Sequence, residues 1–377
     1  MPAAALPLGP RIALVAVGVV VLFVTAGGVV RVLIVPRPPA HGLSTLSMRL
    51  VRRTFRRAAR IRRTYAARDA LLVLSEPVAL VALLVSWMAL TVVGFALLLW
   101  GDGATGFAAA FDQAGSSVFT LGGVSGHQPG AQIISFVAAG AGLTLVALEI
   151  AYLPALYGSY NRRETLVTLL ESRAGAPAWG PEILARHHLV GLVGNLPALF
   201  ADWERWAADV AESHTSYPSL LYFRSPRARN SWVISLLAVM DAAALMLAID
   251  PEGAPMEARM CVRMGFTALR DIAHVAGVAF DPDPDPDGTI ELPRSEFEAT
   301  VDHLVELGYT TSRARDEMWM HFRGWRVNYE TVTYELARVV DAPPATWSGP
   351  RDLGRGGELE PERPVDRQPR HPDGDRA

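Results

Sequence analysis

The first 160 residues alternate between long apolar runs and short polar segments. Three runs, 12–35, 77–100 and 131–156, are dominated by aliphatic, alanine and glycine residues. About 20 apolar residues in a helix cross the roughly 30 Å hydrocarbon core of a bilayer, so each run is long enough to span a membrane. The first run could instead be a secretory signal, but it is longer than the about 7–15 residues of a signal core. Only Arg11 precedes it as a basic residue, so we expect a retained span.

From about Tyr160 onward, apolar residues recur at helical spacing and strand-like alternation is scarce. Helices are predicted over 163–173, 180–212, 228–249, 255–279, 294–307 and 311–340. The segment 232–249 is apolar on all sides except at Ser235 and Asp241. It could be a fourth span, but a charge at its centre would cost about 2.5–3.5 kcal/mol on insertion scales. A helix that is apolar all round is also typical of a buried core, which we favour.

The charges are few and unevenly placed, which indicates an orientation in the membrane. Charged residues make up 19% of the chain, below the about 25% of a soluble domain. Arginines crowd the connection between the first two apolar runs, and Arg162 and Arg163 follow the third, whereas 101–130 contains no arginine. Positive residues favour the cytoplasmic side. We therefore expect a multi-pass protein of the cell (inner or plasma) membrane, with 101–130 outside and the C-terminal region cytoplasmic.

The arginine-rich connection interleaves apolar and basic residues at helical spacing. A helix of this kind can lie on an anionic leaflet with its arginines at the headgroups. The residues expected to contact lipid in this way are Arg52, Arg53, Arg56, Arg57 and Arg60. The stretch could equally be only a topology signal. Nucleic acid is not expected as a partner, because this segment is tethered at a membrane.

The connection 101–130 does not have the composition of an ordinary exterior loop. Residues 105–119 are rich in Ala and Phe and predict a helix of three to four turns, too short to span. A glycine-rich segment, Thr120-Leu121-Gly122-Gly123-Val124-Ser125-Gly126, follows it. A short helix and a glycine segment between two spans form the re-entrant pattern, in which irregular backbone is buried in protein or lines a water-filled path.

This arrangement resembles the two-span pore module of the tetrameric potassium-channel superfamily of bacteria. The filter of that family reads Thr-Val-Gly-Tyr-Gly, and Thr120 and Gly122 match it with Leu121 as a conservative replacement. Gly123 stands in place of the aromatic residue and Val124 in place of the second glycine, so the outer half departs from the family. The resemblance implies a selectivity filter at Thr120, Leu121, Gly122, Gly123 and Val124. It also implies a homotetramer that conducts a monovalent cation, potassium first, and no cofactor or bound structural metal.

Three residues of the third apolar run fit the same resemblance. Gly140 and Gly142 follow the filter by about 20 residues, where an inner helix of the family carries a gating hinge. They could equally be small residues that let helices pack closely. Glu149 is an ionisable residue within a span, which usually faces a bundle interior or water. It is expected near the inner cavity, or alternatively near the cytoplasmic end of the helix, which Pro154 should kink or terminate.

The sequence thus predicts an all-α membrane protein with three transmembrane helices, a re-entrant pore helix with a filter-like loop, and an all-α cytoplasmic domain. The predicted segments are an N-terminal transmembrane helix (1–36), an arginine-rich linker or surface helix (37–76), the pore module (77–157), the helical cytoplasmic domain (158–346) and a disordered tail (347–377).

The expected function is passive cation conduction through the central pore of a tetramer. The alternative is a non-conducting scaffold or sensor with channel-like architecture, favoured by Val124 and Ser125 in the outer filter. Enzymatic activity is not expected, because no nucleophile, base and orienting group fall into a recognisable arrangement. The acidic segment that begins at Asp283 resembles the start of an EF-hand loop, but Arg294 occupies the position of the required glutamate.

Overall fold

The computed structural model describes residues 7–33, 35, 43–122, 129–350 and 357–362. Within these residues all regular secondary structure is helical, and the only β contacts are two isolated bridges. The helices of this described part are α1 (Leu8–Leu33), α2 (Leu43–Ala59), α3 (Tyr65–Leu72), α4 (Ser75–Asp102), α5 (Phe107–Val118), α6 (Pro129–Ala174), α7 (Gly180–Leu189), α8 (Leu196–Ser216), α9 (Trp232–Ile249), α10 (Met256–Ala276), α11 (Arg294–Glu306), α12 (Arg315–Arg326) and α13 (Glu330–Val339). The all-α class predicted from the sequence is confirmed.

Four segments of the described chain are long and apolar enough to cross a membrane: Leu8–Leu33, Tyr65–Asp102, Pro129–Ala174 and Trp232–Ile249. They correspond to the three predicted spans and to the ambiguous fourth segment. The first three are 17%, 44% and 17% buried within the protein, whereas the fourth is 94% buried. Helix α9 is therefore covered by neighbouring protein, while α1, α4 and α6 leave apolar surface uncovered, as a membrane-embedded protein requires.

Several helix boundaries differ from those expected. Helix α6 continues through Pro154 as far as Ala174, so the third span and the predicted helix 163–173 are one element. The predicted helix 180–212 is two helices, because the chain turns at Gly191 with a φ of 67°. The predicted helix 311–340 is also two. Its break falls at Tyr329, which has a non-helical φ of −130° and donates its hydroxyl to Asp241 at 2.9 Å.

The structure forms two compact units. Unit 1 contains the described residues of Met1–Arg62, Arg68–Asn161 and Ser213–Phe223, and unit 2 contains those of Arg63–Ala67, Arg162–Glu212 and Arg224–Ala377. The predicted continuous domain 158–346 is thus interrupted, because its segment 213–223 belongs with the apolar helices. There, Leu220 and Phe223 join the buried cluster of Leu80, Tyr152 and Leu156.

In unit 1, α4 packs against α1 through a glycine contact. A Cβ added to Gly18 would lie 2.8 Å from the carbonyl oxygen of Gly94, and one added to Gly94 would lie 2.7 Å from Leu22. Small residues at membrane helix crossings let the backbones approach this closely. Arg11 joins the same two helices, since its guanidinium donates to the carbonyls of Gly101 (2.8 Å) and Asp102 (2.7 Å) at the C-terminal end of α4.

In unit 2, α9 is the central helix and its neighbours approach it closely. A Cβ on Gly180 of α7 would lie 2.7 Å from the carbonyl of Ala238, and one on Gly265 of α10 would lie 2.5 Å from the sulfur of Met240. Nearly every residue of α9 is buried, Asp241 included. The helix that was ambiguous in the sequence is therefore the core of this unit.

Asp241 is accommodated in the apolar core by a buried arginine. Arg326 of α12 donates to Asp241 at 2.6 Å and to Glu330 at 2.8 Å, and also to the hydroxyl of Tyr334 and the carbonyl of Trp347. Burial lowers the pKa of Arg326, but the carboxylates of Asp241 and Glu330 outweigh it and keep that pKa well above its usual value. The network joins α9, α12 and α13 and gives each of its buried charges a partner of opposite sign.

Part of the predicted disordered tail is packed on unit 2. Trp347 is buried, and Ser348 is buried beside it. Residues Leu359 and Glu362 form the two isolated bridges, with Ala345 and Ala176 respectively. The predicted start of the tail, residue 347, lies within the packed region, because the polar composition around it gives no sign that Trp347 is buried and that its carbonyl accepts from Arg326. Positions 351–356 and 363–377 lie outside the described residues.

Candidate pore segment

Helix α5 runs from the end of α4 back along the flanks of α4 and α6. Ala110, Ala114 and Val118 of α5 are buried against a cluster that contains Val92 and Phe95 of α4. In addition, the side-chain amide of Gln113 donates to the hydroxyl of Ser135 in α6 at 3.1 Å. The apolar face of a short helix thus lies between the two long helices that flank it in sequence.

The C-terminal end of α5 lies well inside the length of α6. A Cβ on Gly142 would lie 2.0 Å from the carbonyl oxygen of Val118, so only glycine allows this approach. At the other end of the connection, a Cβ on Gly130 would lie 2.6 Å from the carboxylate of Asp102. The end of α4 and the start of α6 are therefore level with each other. Since α6 rises about 1.5 Å per residue, α5 ends about 18 Å farther along α6 than this level.

The backbone after α5 is capped so that its carbonyls point away from the helix. The N–H groups of Phe119, Thr120 and Leu121 donate to the carbonyls of Gly115, Ser117 and Ser116 respectively, at 2.9–3.0 Å. Because N–H and C=O are antiparallel across a trans peptide, the carbonyls of Val118, Phe119 and Thr120 point onward from the helix end. This is the Schellman arrangement of a helix C-terminus.

Thr120 and Gly122 adopt the left-handed backbone on which this turn depends. Their φ angles are 53° and 69°, a region that costs a non-glycine residue free energy. Both residues are exposed, as are Leu121 (74%) and Phe119 (50%). The structure therefore places three of the predicted filter residues together at the exposed end of α5, whereas Gly123 and Val124 lie outside the described residues.

The predicted hinge and cavity residues occupy different sides of α6. Gly142 contacts the end of α5, while Gly140 faces outward, where an added Cβ would meet no atom within 4 Å. Glu149 is partly buried, and its Oε1 accepts no hydrogen bond within the described structure. It shares the helical stripe of the buried residues Leu145, Tyr152 and Leu156, so it faces the interior of unit 1 rather than the exposed side of α6.

Arg52 stands apart from the other arginines expected at the lipid surface. It forms a bidentate ion pair with the buried carboxylate of Glu76, and its guanidinium lies 3.6 Å from the centre of the Tyr222 ring. Its side chain is only 16% exposed, because it turns inward to pair with the buried Glu76 at the start of α4. The other members of the predicted set are exposed on α2 or just after it: Arg53, Arg56, Arg57 and Arg60.

Sequence reasoning missed the residues that hold this region in place. In the sequence, Arg11 is only the single basic residue before the first apolar run, yet it caps α4. Glu76 has no predicted role, yet it binds Arg52. Gly18 and Gly94, which form the α1–α4 contact, carried a weak signal as small residues within apolar runs. No group of three or more metal-ligating side chains occurs in the described part of the chain.

No protein family, no curated protein and no solved structure matches the chain.

Proposed function

We propose that this chain is one subunit of a tetrameric cation channel, with α4, α5 and α6 as its pore module. The observation that carries the proposal is the position of the Val118 carbonyl beside Gly142. It puts the C-terminal end of a short helix about midway along the apolar part of α6. In a bilayer, α5 would then enter from one side and end near the midplane, which is a re-entrant helix.

A helix end at that depth calls for a polar environment. The carbonyls of Phe119 and Thr120 point away from α5, and the residues around them are exposed in the single chain. Backbone carbonyls do not face lipid in the hydrocarbon region, because they would lack hydrogen-bond partners there. Further copies of the chain, arranged around a water-filled axis, would provide that environment.

The charge at this position favours cations. The C-terminal end of a helix carries about half a negative charge, and inward-facing carbonyls can replace the water shell of a dehydrated ion. Thr120, Leu121 and Gly122 would coordinate a monovalent cation, with potassium suggested by the Thr-x-Gly resemblance. The exposed side of α6, which includes Gly140, Thr144 and Ala147, would face neighbouring copies and the axis.

The orientation follows from the arginines. With α2 and its flanking arginines on the cytoplasmic side, the loop between α4 and α5 lies outside the cell membrane. Unit 2 would then be cytoplasmic, with α9 as its core rather than as a fourth span. Its helices would assemble the oligomer or respond to a signal.

Ion flux from the purified full-length protein in liposomes tests the proposal. We expect potassium flux down a gradient and a particle of four chains in detergent. Gly122→Val should abolish flux and leave the particle intact, because a β-branched residue is strained at a φ of 69°. Gly9→Val, where an added Cβ meets nothing, is the matched control and should conduct normally.

The second candidate is a non-conducting scaffold or sensor with the same architecture. The apolar, 74% exposed side chain of Leu121 and the departure of Val124 from the family filter favour it. A fourfold particle without flux for any monovalent cation would identify this function. A folded protein that is not fourfold and does not conduct would overturn the channel proposal.

A further inference from the structure

A groove in unit 1 lies between α1, α2 and α4. Its volume is about 400 Å³, within the about 300–1,000 Å³ of typical small-molecule sites. The walls are mainly apolar: Val24 on α1, Leu46 and Leu50 on α2, and Leu83 and Trp87 on α4. Such a cavity suits a hydrocarbon chain.

Helix α2 leads from this groove towards a basic surface. Its first turns lie beside residues 83–90 of α4, whereas Arg52, farther along α2, reaches Glu76 at the start of α4. The apolar start of α2 therefore lies deeper along α4 than its arginine-rich end. In a bilayer, this inclination would put the groove among the acyl chains and the arginines at the headgroups.

One stripe along α2 carries both apolar and basic side chains. Leu46, Leu50, Arg53 and Arg57 are spaced at i, i+4, i+7 and i+11, and all four are exposed, so two apolar residues are followed by two guanidinium groups on one face. The chain has no acidic residue before Asp69. The two acids nearest in sequence, Asp69 and Glu76, are buried, and Glu76 is bound to Arg52.

We propose that this groove binds one anionic phospholipid of the cytoplasmic leaflet. One acyl chain would occupy the space between Val24, Leu50 and Trp87, and the phosphate would be bound by Arg53 and Arg57. Arginine forms paired hydrogen bonds with phosphate oxygens, and the lipid charge would offset the repulsion between neighbouring arginines. The site requires insertion in a membrane but does not depend on ion conduction.

Retention of lipid by the full-length protein tests this site. The protein is extracted from vesicles of equal phosphatidylglycerol and phosphatidylcholine, and bound lipids are counted by native mass spectrometry. We expect phosphatidylglycerol to be retained in preference to phosphatidylcholine. Each basic residue at a membrane surface contributes about 1 kcal/mol, or about fivefold in affinity. The double variant Arg53→Gln/Arg57→Gln should therefore lower the preference by about 25-fold.

Two further variants distinguish lipid binding at this groove from attraction to the general positive charge of the surface. Arg62→Gln/Arg63→Gln removes the same charge beyond the end of α2 and should keep the preference. Ser86→Leu adds volume to the groove wall without changing charge and should reduce retention of either lipid. Equal retention of both lipids by the natural protein, equal loss in the two arginine double variants, or full retention by Ser86→Leu would each overturn the proposal.

Discussion

At the scale of single residues, the features that shape the molecule are contacts between positions far apart in the chain. Arg52 and Glu76 are 24 positions apart, and Arg326 and Asp241 are 85 apart. The sequence identified Asp241 as a problem for a span, yet it could not name the arginine that resolves it. Periodicity predicts which face of a helix is buried, but not which charge on another helix it will meet.

Gly142 allows a direct test of the position of α5. Replacement by alanine would put a methyl group 2.0 Å from the carbonyl oxygen of Val118, and such overpacking costs about 1–3 kcal/mol. We expect Gly142→Ala to lower the melting temperature in detergent and to reduce ion flux by displacing α5. The matched control is Gly27→Ala in α1, where an added Cβ meets no atom within 4 Å; it should melt as the natural protein does.

If both alanine variants melt like the natural protein, the end of α5 does not contact α6 at Gly142. The depth of α5 along α6 would then lose its main support.

Arg326 is expected to be the most sensitive side chain of unit 2. Arg326→Met would leave Asp241 and Glu330 buried without their counter-charge, which typically costs about 3–5 kcal/mol. Arg323→Gln, three residues earlier, removes only a surface pair with Asp287 and should cost at most about 1 kcal/mol. Thermal unfolding of the full-length variants, followed by circular dichroism, measures the difference. Similar melting of the two variants would show that the buried network contributes little.

His187 should make stability depend on mild acid. Burial is the main cause that lowers the pKa of His187, and nearby Arg173 lowers it further. The folded protein thus favours neutral imidazole, so stability is present above the unfolded pKa of about 6.5 and is lost as the pH falls through it. The loss of melting temperature between about pH 7.5 and 5.5 should be smaller in His187→Gln than in the natural protein. An unchanged loss would exclude His187 as the cause.

At the scale of helices, periodicity predicted most elements, and the errors have local causes. The three long apolar helices and the short helix before the glycine segment lie where the apolar pattern predicts them. Pro154 does not end α6. A proline inside a helix removes one backbone hydrogen bond and crowds the preceding turn, which bends the helix or breaks it, and here the helix continues. Two predicted helices are each split, at Gly191, where φ is positive, and at Tyr329, where φ is −130° and the backbone is not helical. A glycine or tyrosine within a polar helix gives too weak a signal for either break.

The α1–α4 contact depends on small residues at one crossing point. Gly18→Val would press against the backbone of Gly94 and separate the two helices. We expect it to lower the melting temperature and to weaken the Arg11 cap, since Arg11 reaches α4 from α1. Gly27→Val, in the same helix but with nothing near its Cβ position, controls for the loss of a glycine. If both variants lower the melting temperature equally, the cause is the change in helix propensity and not the close contact between α1 and α4.

At the scale of the whole molecule, the sequence predicted membrane helices followed by a helical region. It did not predict that 213–223 would pack with the apolar helices or that Trp347 would be buried. Both depend on which surfaces remain uncovered after the long helices have packed, and that is a property of the assembled fold. The same holds for the candidate site. The sequence pointed to the residues of the Thr-x-Gly segment, but their position along α6 is known only from the contact between Gly142 and the end of α5.

The functional proposal depends on how many times the chain crosses the membrane, and above all on whether α9 crosses it. If α9 is the core of unit 2, Glu306 lies on the same side of the membrane as Arg62 and opposite to Thr105; if α9 crosses, Glu306 lies on the side of Thr105. Single cysteines at these three exposed positions can be labelled in intact cells with an impermeant maleimide. The natural Cys261 is fully buried, so the unsubstituted protein gives a low background.

We expect labelling of Thr105→Cys in intact cells and of Arg62→Cys and Glu306→Cys only after permeabilisation. Asp241 explains why: its carboxylate is already bound by Arg326 and Tyr329, and moving α9 into lipid would break both contacts. Labelling of Glu306→Cys in intact cells would establish a fourth span and remove the cytoplasmic placement of everything that follows it. Labelling of Arg62→Cys in intact cells would reverse the orientation and move the proposed lipid site to the outer leaflet.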